Sequence, residues 1–192
     1  MPRLSAADWE QAALDAIAED GLAAVAVEPL ARRLGVTKGS FYAHFRSRDE
    51  LVAAALARWE ASHGEGMRAS FAEIADPRER LRTLLRTAIE YSQSGTPSVH
   101  VRLMADVADP HVRAVLHRVT ATRLAGLERS FRDLGLPPAA ARDRARLAYA
   151  TYIGLLQLAQ EDDPGALPGP RAVSRLLADA EAVLLPTSAP RA

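Results

Sequence analysis

The sequence predicts an all-α protein. None of its 192 residues falls in a segment with the sustained period-two alternation of β-branched residues that is typical of strands. Apolar residues instead recur at three- and four-residue spacings, in segments separated by glycine, proline or Asp-Pro pairs. The number of these segments predicts nine helices.

Four of the nine helices are predicted in the N-terminal third. The first spans Ala6–Asp20 and ends at Gly21, because glycine tolerates the left-handed conformation that closes a helix. Two short helices joined by a tight turn follow, and a fourth helix at 49–63 is expected to be interrupted by the glycines of 64–66. Their apolar faces carry Trp9, Ala12, Ala13, Ala16 and Ile17 in the first helix, Leu30, Ala31 and Leu34 in the second, Phe41 and Phe45 in the third, and Leu51, Ala55 and Trp59 in the fourth.

Five further helices are predicted after residue 66. Asp76-Pro77 and Asp109-Pro110 each combine a capping residue with proline at the first helical position, so each predicts a helix start. Glycine and proline clusters predict the ends. The five helices span residues 77–93, 98–108, 110–134, 138–160 and 171–185, with a loop at 161–170 and a frayed tail at 186–192.

The segment Val27–Leu51 predicts a helix-turn-helix unit. Gly35 ends its first helix, and the hydroxyl of Thr37 is placed to cap a second helix running from Lys38 to about His44. Phe41 and Phe45 direct this second helix toward the core. Its opposite face carries small residues and hydrogen-bond donors, as a helix pressed against a major groove and its phosphates requires.

Charge is concentrated in the same segment. The whole chain has a formal net charge of +0, yet between Val27 and Arg48 five basic residues oppose Glu28 alone, which gives +4. Lys38 is the only lysine in the sequence. Binding of a polyanion depends on local rather than total positive potential, so this distribution favours DNA as the partner.

Three motifs carry a resemblance to a known family. They are the Leu-Gly-Val-Thr turn, the Lys-Gly-Ser-Phe-Tyr-x-His-Phe helix and the Arg-Ser-Arg-Asp-Glu-Leu start of the next helix. Together they resemble the DNA-binding domain of the TetR family of bacterial transcription regulators. The resemblance implies two-fold dimers that bind palindromic operator DNA and release it when a small-molecule effector binds. It also implies a helix-turn-helix domain at 1–48 and a ligand-binding and dimerisation domain at 49–185, with 49–63 as the linking helix.

The resemblance also implies which residues approach DNA. Ser40 is the candidate for contact with a base edge, and His44 either donates to a phosphate or satisfies a carbonyl at the helix end. Val27 departs from the family pattern, which places a capping Thr or Ser there, and Ala43 can offer only a van der Waals contact to a thymine methyl. The predicted DNA-binding residues are Thr37, Lys38, Gly39, Ser40, Tyr42, His44 and Arg48.

The last two helices predict a homodimer interface. The helix at 138–160 is apolar around too much of its circumference for one neighbour to cover it, although an ordinary intrachain core is the alternative. A four-helix contact with a second copy would bury both helices, and two recognition helices about 34 Å apart would then read the two half-sites. The predicted interface residues are Leu147, Ala150, Gly154, Leu158, Val173, Leu176, Leu177, Ala180 and Leu184.

Polar or polarisable side chains within apolar helical faces are the candidates for effector binding. Each has a structural alternative: the tyrosines pack with their hydroxyls toward water, the histidine caps the helix after Pro97, and the methionine fills core. The predicted ligand-binding residues are Tyr91, His100, Met104, Tyr152 and Gln157.

Motifs for catalysis are missing from the sequence. It has no cysteine, no Gly-x-Ser-x-Gly elbow and no Walker-type loop. His111 and His117 are six residues apart, about 120° around a helix, which is poor geometry for one metal ion. We predict no enzyme, no metal site and no cofactor. A membrane span and a signal peptide are not expected either, so the predicted location is cytoplasmic.

Three functions from different classes follow. The leading one is a ligand-responsive dimeric repressor, with activation as an open variant. The second is a TetR-like accessory or partner-binding module without its own operator, which Val27 and Ala43 favour. The third is an all-helical enzyme, for which the sequence gives little support.

Overall fold

The computed structural model describes residues 4–160 and 173–185, and these residues are helical with no strand among them. The loop predicted at 161–170, the start of the last helix at Arg171 and the tail at 186–192 lie outside the described residues. Among the described helices, none combines the length and apolarity that crossing a membrane needs. The helices are α1 Ala6–Asp20, α2 Val27–Arg33, α3 Lys38–Tyr42, α4 Arg48–Glu60, α5 Met67–Ala72, α6 Pro77–Gln93, α7 Val99–Ala105, α8 Pro110–Asp133, α9 Pro138–Leu158 and α10 Val173–Leu184.

A π-helical stretch, Ala61–Gly66, joins α4 to α5 without a break. Counted as one rod, α4 and α5 bring the described α-helical segments to the nine that were predicted. The predicted interruption at Gly64 and Gly66 is wrong. A glycine ends a helix when its φ is positive, but Gly66 has φ −61° and ψ −48°, and Gly64 is not among the glycines with positive φ.

Both predicted Asp-Pro caps are confirmed. The Asp76 carboxylate accepts a 2.9 Å hydrogen bond from the backbone N–H of Arg78 at the start of α6. The Asp109 carboxylate accepts from the N–H groups of His111, at 2.8 Å, and Val112, at 3.2 Å, at the start of α8. Two other helices end earlier than predicted: α3 stops at Tyr42 rather than His44, and α7 at Ala105 rather than Ala108.

The described chain forms two compact units. Unit 1 comprises the described residues up to Glu65 together with Pro97–Val119. It extends beyond the predicted boundary at residue 48 because side chains from α4, α7 and the beginning of α8 share one core with α1 to α3. Its largest fully buried side chains are Trp9, Trp59, Phe41, Ile17, Leu30, Leu51, Leu56, Leu103 and Val25.

Unit 2 comprises Gly66–Thr96 and the described residues from Thr120 onward. Its core lies where α6, the second half of α8, α9 and α10 meet. Leu184 is 3% exposed within this core, so it is not available to a second subunit, contrary to the prediction that it lies at a dimer interface. The buried residues of this core are Leu81, Leu85, Phe131, Ala141, Ala145, Ala148, Leu184 and Leu185.

Candidate nucleic-acid interface

The turn between α2 and α3 is a helix C-cap with Gly35 in the left-handed conformation, at φ 68°. The N–H of Gly35 donates to the carbonyl of Arg32 at 3.1 Å, and the N–H of Val36 donates to the carbonyl of Ala31 at 2.9 Å. This pair of bonds is the Schellman arrangement, which satisfies carbonyls that the helix end leaves open. The prediction that Gly35 ends the first helix of the unit is confirmed.

The N-cap of α2 is Ala26, and not Val27 as predicted from the sequence. The Ala26 carbonyl accepts the first helical hydrogen bond, from the N–H of Leu30 at 3.1 Å, and Ala26 has the extended backbone of an N-cap. Val27 is the first helical residue and packs against the core. The interpretation of Val27 as the substituted cap is therefore wrong by one position, and the cap that lacks a hydroxyl is Ala26.

Thr37 is the N-cap of α3, as predicted, but its hydroxyl makes no capping hydrogen bond. The helix start is closed instead by its backbone carbonyl, which accepts from the N–H of Ser40 at 3.0 Å. A Cβ placed on Gly39 would lie 3.6 Å from the Thr37 hydroxyl oxygen, so the two residues are neighbours. Both are exposed, and because Gly39 has no side chain, the surface at the start of α3 is flat.

Helix α3 separates an aromatic core face from an exposed polar face. Phe41 is fully buried, with its ring centroid 5.3 Å from that of Trp9 and 5.8 Å from that of Phe45. Tyr42 is 58% exposed even though its ring meets the edge of Phe41 at 5.2 Å. Ser40 is partly exposed. The unit thus presents hydrogen-bonding groups on the face that points away from its core.

Lys38 is engaged in an ion pair with Glu28. Its ammonium nitrogen lies 2.9 Å from Glu28 Oε1, and the Lys38 and Glu28 side chains are 52% and 66% exposed. The hydrogen bond from Lys38 lowers the pKa of the Glu28 carboxyl below its ordinary value, and the same bond raises the pKa of Lys38. The pairing connects the first turn of α2 to the first residue of α3.

Most of the basic charge counted in the sequence is paired with carboxylates. Arg33 forms a two-bond pair with Glu19, at 2.6 Å and 2.9 Å, and Arg46 pairs with Glu50 four residues later at 3.3 Å. The Arg33 partner lies before the 27–48 window and the Arg46 partner after it, so the local excess of positive charge is smaller than the count of +4. Arg32 is exposed, and its side chain forms no hydrogen bond or ion pair in the described part of the chain.

Arg48, which the resemblance implied as a DNA contact, forms hydrogen bonds within the fold of unit 1. Its Nε donates to the carbonyl of Val25 at 2.7 Å, and its Nη2 donates to the carbonyl of Leu22 at 2.8 Å. The remaining amino group pairs with Asp49 at 3.4 Å. Arg48 therefore ties the start of α4 to the connection between α1 and α2.

His44 lies just after α3 and is half-buried. Its backbone N–H donates to the carbonyl of Phe41 at 2.9 Å, as a helix-end residue does. The pKa of the Asp8 carboxyl is lowered mainly by hydrogen bonds from Ser5, with smaller contributions from Arg58 and His44. The His44 side chain thus lies near the first turn of α1, another helix of unit 1.

Helix α7 supports this unit in a way that no local sequence signal revealed. The Arg102 guanidinium donates to the carbonyl of Ala18 at 3.3 Å, near the end of α1. Asp106 accepts from the N–H of Leu22 at 3.2 Å. A Cβ on Gly21 would lie 3.8 Å from the same Asp106 oxygen. The connection between α1 and α2 is thus held by α7 as well as by Arg48.

The five predicted effector residues are divided between the two units. Tyr91 and Tyr152 belong to unit 2 and interact there, whereas His100 and Met104 belong to unit 1. His100 is buried, with its ring 5.7 Å from that of Trp59. Met104 is 47% exposed and Gln157 is also exposed, so neither lines an apolar interior as predicted.

Tyr152 is the centre of a polar cluster in unit 2. Burial raises the pKa of its hydroxyl, with Arg123 acting in the opposite direction. The Arg123 guanidinium carbon lies 5.4 Å from the centre of the Tyr152 ring, and the Tyr149 ring lies 6.3 Å away. The Tyr149 hydroxyl is 3.0 Å from that of Thr120. The sequence reasoning missed Tyr149, Arg123 and Thr120, because only their tertiary positions bring them to Tyr152.

One face of α9 is exposed in the part of the chain that the structure describes. Leu147 is 56% exposed and Leu158 is 38% exposed, and Ala150 and Gly154 between them are also exposed. In contrast, Leu177 packs against the unit 2 core, as does the buried Leu184. Val183 of α10 is 67% exposed. The predicted interface residues therefore divide into an exposed α9 strip, two α10 residues that face the core, and three half-buried α10 residues, Val173, Leu176 and Ala180.

Comparison with known proteins assigns the helix-turn-helix. Residues 11–55 match the family model described as bacterial regulatory proteins, tetR family. No curated protein matches the chain. A solved TetR transcriptional regulator from Legionella pneumophila is similar, with a TM-score of 0.75, 13% identity, and coverage of 93% of this chain and 98% of that one.

Two other solved structures are similar over nearly their full lengths. A transcriptional regulator from Rhodococcus sp. Rha1 has a TM-score of 0.72 and 24% identity, covering 95% of this chain and 96% of that one. AibR, solved in complex with isovaleryl coenzyme A and operator DNA, has a TM-score of 0.70 and 18% identity, covering 95% and 99%. At these identities the likeness establishes the fold. The chain therefore carries the N-terminal domain of the tetR family of bacterial regulatory proteins on a fold that it shares with solved TetR-family regulators.

Proposed function

We propose that this TetR-family regulator is a repressor that binds a palindromic operator as a homodimer in the cytoplasm and is released by a small molecule. The observation that carries the proposal is the division of α3. Phe41 of α3 and Phe45 just after it are buried, while Thr37, Lys38 and Tyr42 are exposed on the other side. A helix of this kind can enter a major groove without losing its support from the core.

Within this proposal the exposed groups have distinct roles. Lys38, Tyr42 and the backbone at Thr37 and Gly39 contact phosphates, which positions the protein without reading sequence. Ser40 faces a base edge, because a short hydroxyl side chain can donate to or accept from a base in the groove. His44 adds a phosphate contact at the end of α3. Arg48 is removed from the set of direct contacts, because its donors are bonded to carbonyls and to Asp49.

The homodimer is proposed from the exposed strip of α9. Leu147 and Leu158 expose apolar surface, and Ala150 and Gly154 between them allow a second helix to approach closely. A repressor that reads a palindrome needs two recognition helices related by a two-fold axis. Pairing of α9 strips from two copies supplies both the axis and cover for the strip.

The effector is proposed to bind in unit 2 beside the cluster of Tyr91, Tyr149, Tyr152 and Arg123. Half-buried tyrosine hydroxyls and a guanidinium beside an apolar helical core can fix the orientation of a ligand whose remaining surface is apolar. AibR, which shares the fold, was solved with isovaleryl coenzyme A and operator DNA together, and this supports a fold able to hold both kinds of partner.

Selection from a random pool of double-stranded DNA at about 0.15 M salt tests the proposal. Enrichment of a palindrome by the wild-type protein is the expected result, whereas Lys38→Ala should retain less of the pool without a change in the preferred sequence. A folded and dimeric protein that enriches nothing contradicts the operator-binding role.

That outcome would favour the second candidate, a TetR-like accessory module that binds a protein partner. The observation in its favour is the pairing of Arg33, Lys38 and Arg46 with carboxylates, which reduces the field available for DNA. Capture of a specific partner by the wild-type chain, unaffected by Lys38→Ala, would support this candidate.

A further inference from the structure

Glu28 is the one acidic residue within the helix-turn-helix segment from Val27 to Phe45. It lies in the first turn of α2, and its side chain is 66% exposed. An exposed carboxylate on a surface that approaches phosphates is unfavourable, since like charges repel wherever a groove brings them together. Its position beside the proposed phosphate-binding residues therefore calls for a functional reason.

The surroundings of Glu28 connect it to those residues. Its Oε1 lies 2.9 Å from the Lys38 ammonium, and the hydrogen bond from Lys38, followed by the charges of Lys38 and Arg32, lowers the pKa of its carboxyl. Lys38 is in turn close enough to Tyr42 for the two groups to interact electrostatically. One carboxylate thus lies among the cationic and phenolic groups proposed to hold phosphates.

We propose that Glu28 is an affinity-setting residue of the DNA-binding face, whose carboxylate holds the Lys38 ammonium in the free protein and competes with a DNA phosphate for it. This inference rests on the proposed DNA-binding function and deepens it. When a duplex binds, Lys38 exchanges the Glu28 carboxylate for a DNA phosphate. The binding free energy gained from Lys38, the only lysine in the chain, is therefore smaller than an unpaired ammonium would supply.

The exchange has a consequence for salt dependence. An unpaired lysine that neutralises a phosphate contributes about 0.9 to the negative slope of log K against log salt, because a counterion leaves the DNA. When Lys38 leaves Glu28, the freed carboxylate attracts a cation from solution and offsets part of that release. The wild-type slope is therefore shallower than that of a variant without the carboxylate.

The test compares the wild-type dimer with Glu28→Gln on two duplexes of equal length, one carrying the palindrome selected by the wild type and one of random sequence. Affinity is measured by fluorescence anisotropy across a series of salt concentrations. Glu28→Gln is expected to bind both duplexes roughly threefold to tenfold more tightly at low salt. Its slope should be steeper by up to about 0.9 per subunit. Equal or weaker binding by Glu28→Gln overturns the inference.

Glu19→Gln is the matched control. It removes one exposed carboxylate that pairs with Arg33, a basic residue of the same helix α2, so it changes the net charge by the same amount. Its affinity should stay within about twofold of wild type. If Glu19→Gln tightens binding as much as Glu28→Gln, overall charge rather than the Lys38 pair is responsible, and the inference fails.

A double-mutant cycle with Lys38→Ala isolates the pair. In the Lys38→Ala background, Glu28→Gln should improve affinity by less than half of its effect in the wild type on a logarithmic scale. An undiminished effect also overturns the inference. Failure of the proposed function is distinguishable, because the wild type would then select no palindrome, and wild type, Glu28→Gln and Glu19→Gln would all fail to bind DNA while remaining folded dimers.

Discussion

The carboxylate of Asp106 accepts a 3.2 Å hydrogen bond from the backbone N–H of Leu22, 84 residues earlier in the chain. The acceptor lies at the end of α7, and the donor opens the 3-10 turn that connects α1 to α2. This bond joins the connection that precedes the helix-turn-helix to α7, a helix much later in the chain. The Asp106–Leu22 hydrogen bond is one of the contacts that make α7 part of unit 1.

Asp106→Ala should destabilise unit 1. The N–H of Leu22 is partly buried, and removal of its acceptor leaves a donor unsatisfied, at a cost of about 1–2 kcal/mol. Chemical denaturation followed by tryptophan fluorescence measures the change, since Trp9 and Trp59 are both buried in this unit.

Asp106→Asn separates the hydrogen bond from the charge, because the amide oxygen can still accept. It should retain most of the stability that Asp106→Ala loses. Asp20→Ala is a control at an exposed acid of α1 with no hydrogen bond in the described residues, and it should change the free energy of unfolding by less than about 0.5 kcal/mol. A loss for Asp106→Asn as large as for Asp106→Ala would contradict the assigned bond.

Arg48 provides a second test of the same connection. Because its planar guanidinium reaches both the Leu22 and Val25 carbonyls, Arg48→Ala should lower the free energy of unfolding by about 1–3 kcal/mol. Arg48→Lys should lose about half as much, since one ammonium does not reproduce the fork.

These variants also separate structural support from phosphate contact. A phosphate-binding role would leave stability unchanged in Arg48→Lys and Arg48→Ala, and would leave DNA binding largely intact in Arg48→Lys. Full stability of Arg48→Ala, with weakened DNA binding, would therefore restore the role that the sequence predicted for this residue.

The sequence predicts those features that depend on neighbouring residues. Both ends of α1, at Ala6 and Asp20, agree with the prediction. The helix ends at Asp20 because Gly21, at φ 85°, is the next residue and its N–H bonds back to Ile17. The caps at Asp76 and Asp109 are local in the same way. The predicted interruption at Gly64 was wrong because the sequence shows only where a glycine lies. Tertiary packing decides which backbone conformation that glycine adopts.

The sequence predicts those parts of the site that depend on residues close together in the chain. The separation of Phe41 from Tyr42 follows from helix periodicity, and the family motif brings attention to the exposed face. The carbonyl partners of Arg48 and the Glu28–Lys38 pair depend on how α2, α3 and α4 meet, which periodicity does not specify. Tyr149 approaches Tyr152 with an interplanar angle of 45°, and no spacing rule separates that contact from ordinary core packing.

Direct contacts on α3 should differ in their effect on sequence preference. Lys38→Ala and Tyr42→Phe are expected to weaken binding to all duplexes by a similar factor, because phosphate contacts carry no base information. Substitution of Ser40 should instead alter preference at one position of each half-site. Competition binding against a panel of single-base operator variants distinguishes the two patterns, and identical profiles for all three substitutions would contradict the assigned roles.

Tyr152 should report its environment through alkaline titration. Burial raises its folded-state pKa above the ordinary tyrosine value of 10.0, so the unfolded chain loses this proton first as pH rises. The contribution of neutral Tyr152 to stability is therefore complete below pH 10 and is lost as pH rises from 10 through the folded-state pKa. Tyrosinate absorbance should show a late-titrating group that disappears in Tyr152→Phe. A titration of wild type that ends with the other tyrosines would contradict this assignment.

Gly154 offers the sharpest test of the dimer, because a Cβ added there meets nothing within 4 Å among the described residues. In an isolated subunit Gly154→Ala should stabilise α9 by up to about 1 kcal/mol, since glycine is a poor helix former. Gly154→Leu should keep each subunit folded but prevent close approach of a second α9. Sedimentation equilibrium should then detect monomers, and the dependence of the melting temperature on protein concentration should disappear.

Ala139→Leu is the control for this test, at an exposed alanine outside the strip near the start of α9, and it should remain dimeric. The comparison matters because both substitutions add apolar bulk to α9, but Ala139 lies about two helical turns before Leu147, where the exposed strip begins. Dimers of unchanged affinity in Gly154→Leu would place the interface elsewhere. The recognition helices would then need another two-fold axis to read a palindrome, and the exposed strip of Leu147, Ala150 and Leu158 would be left without the partner that accounts for it.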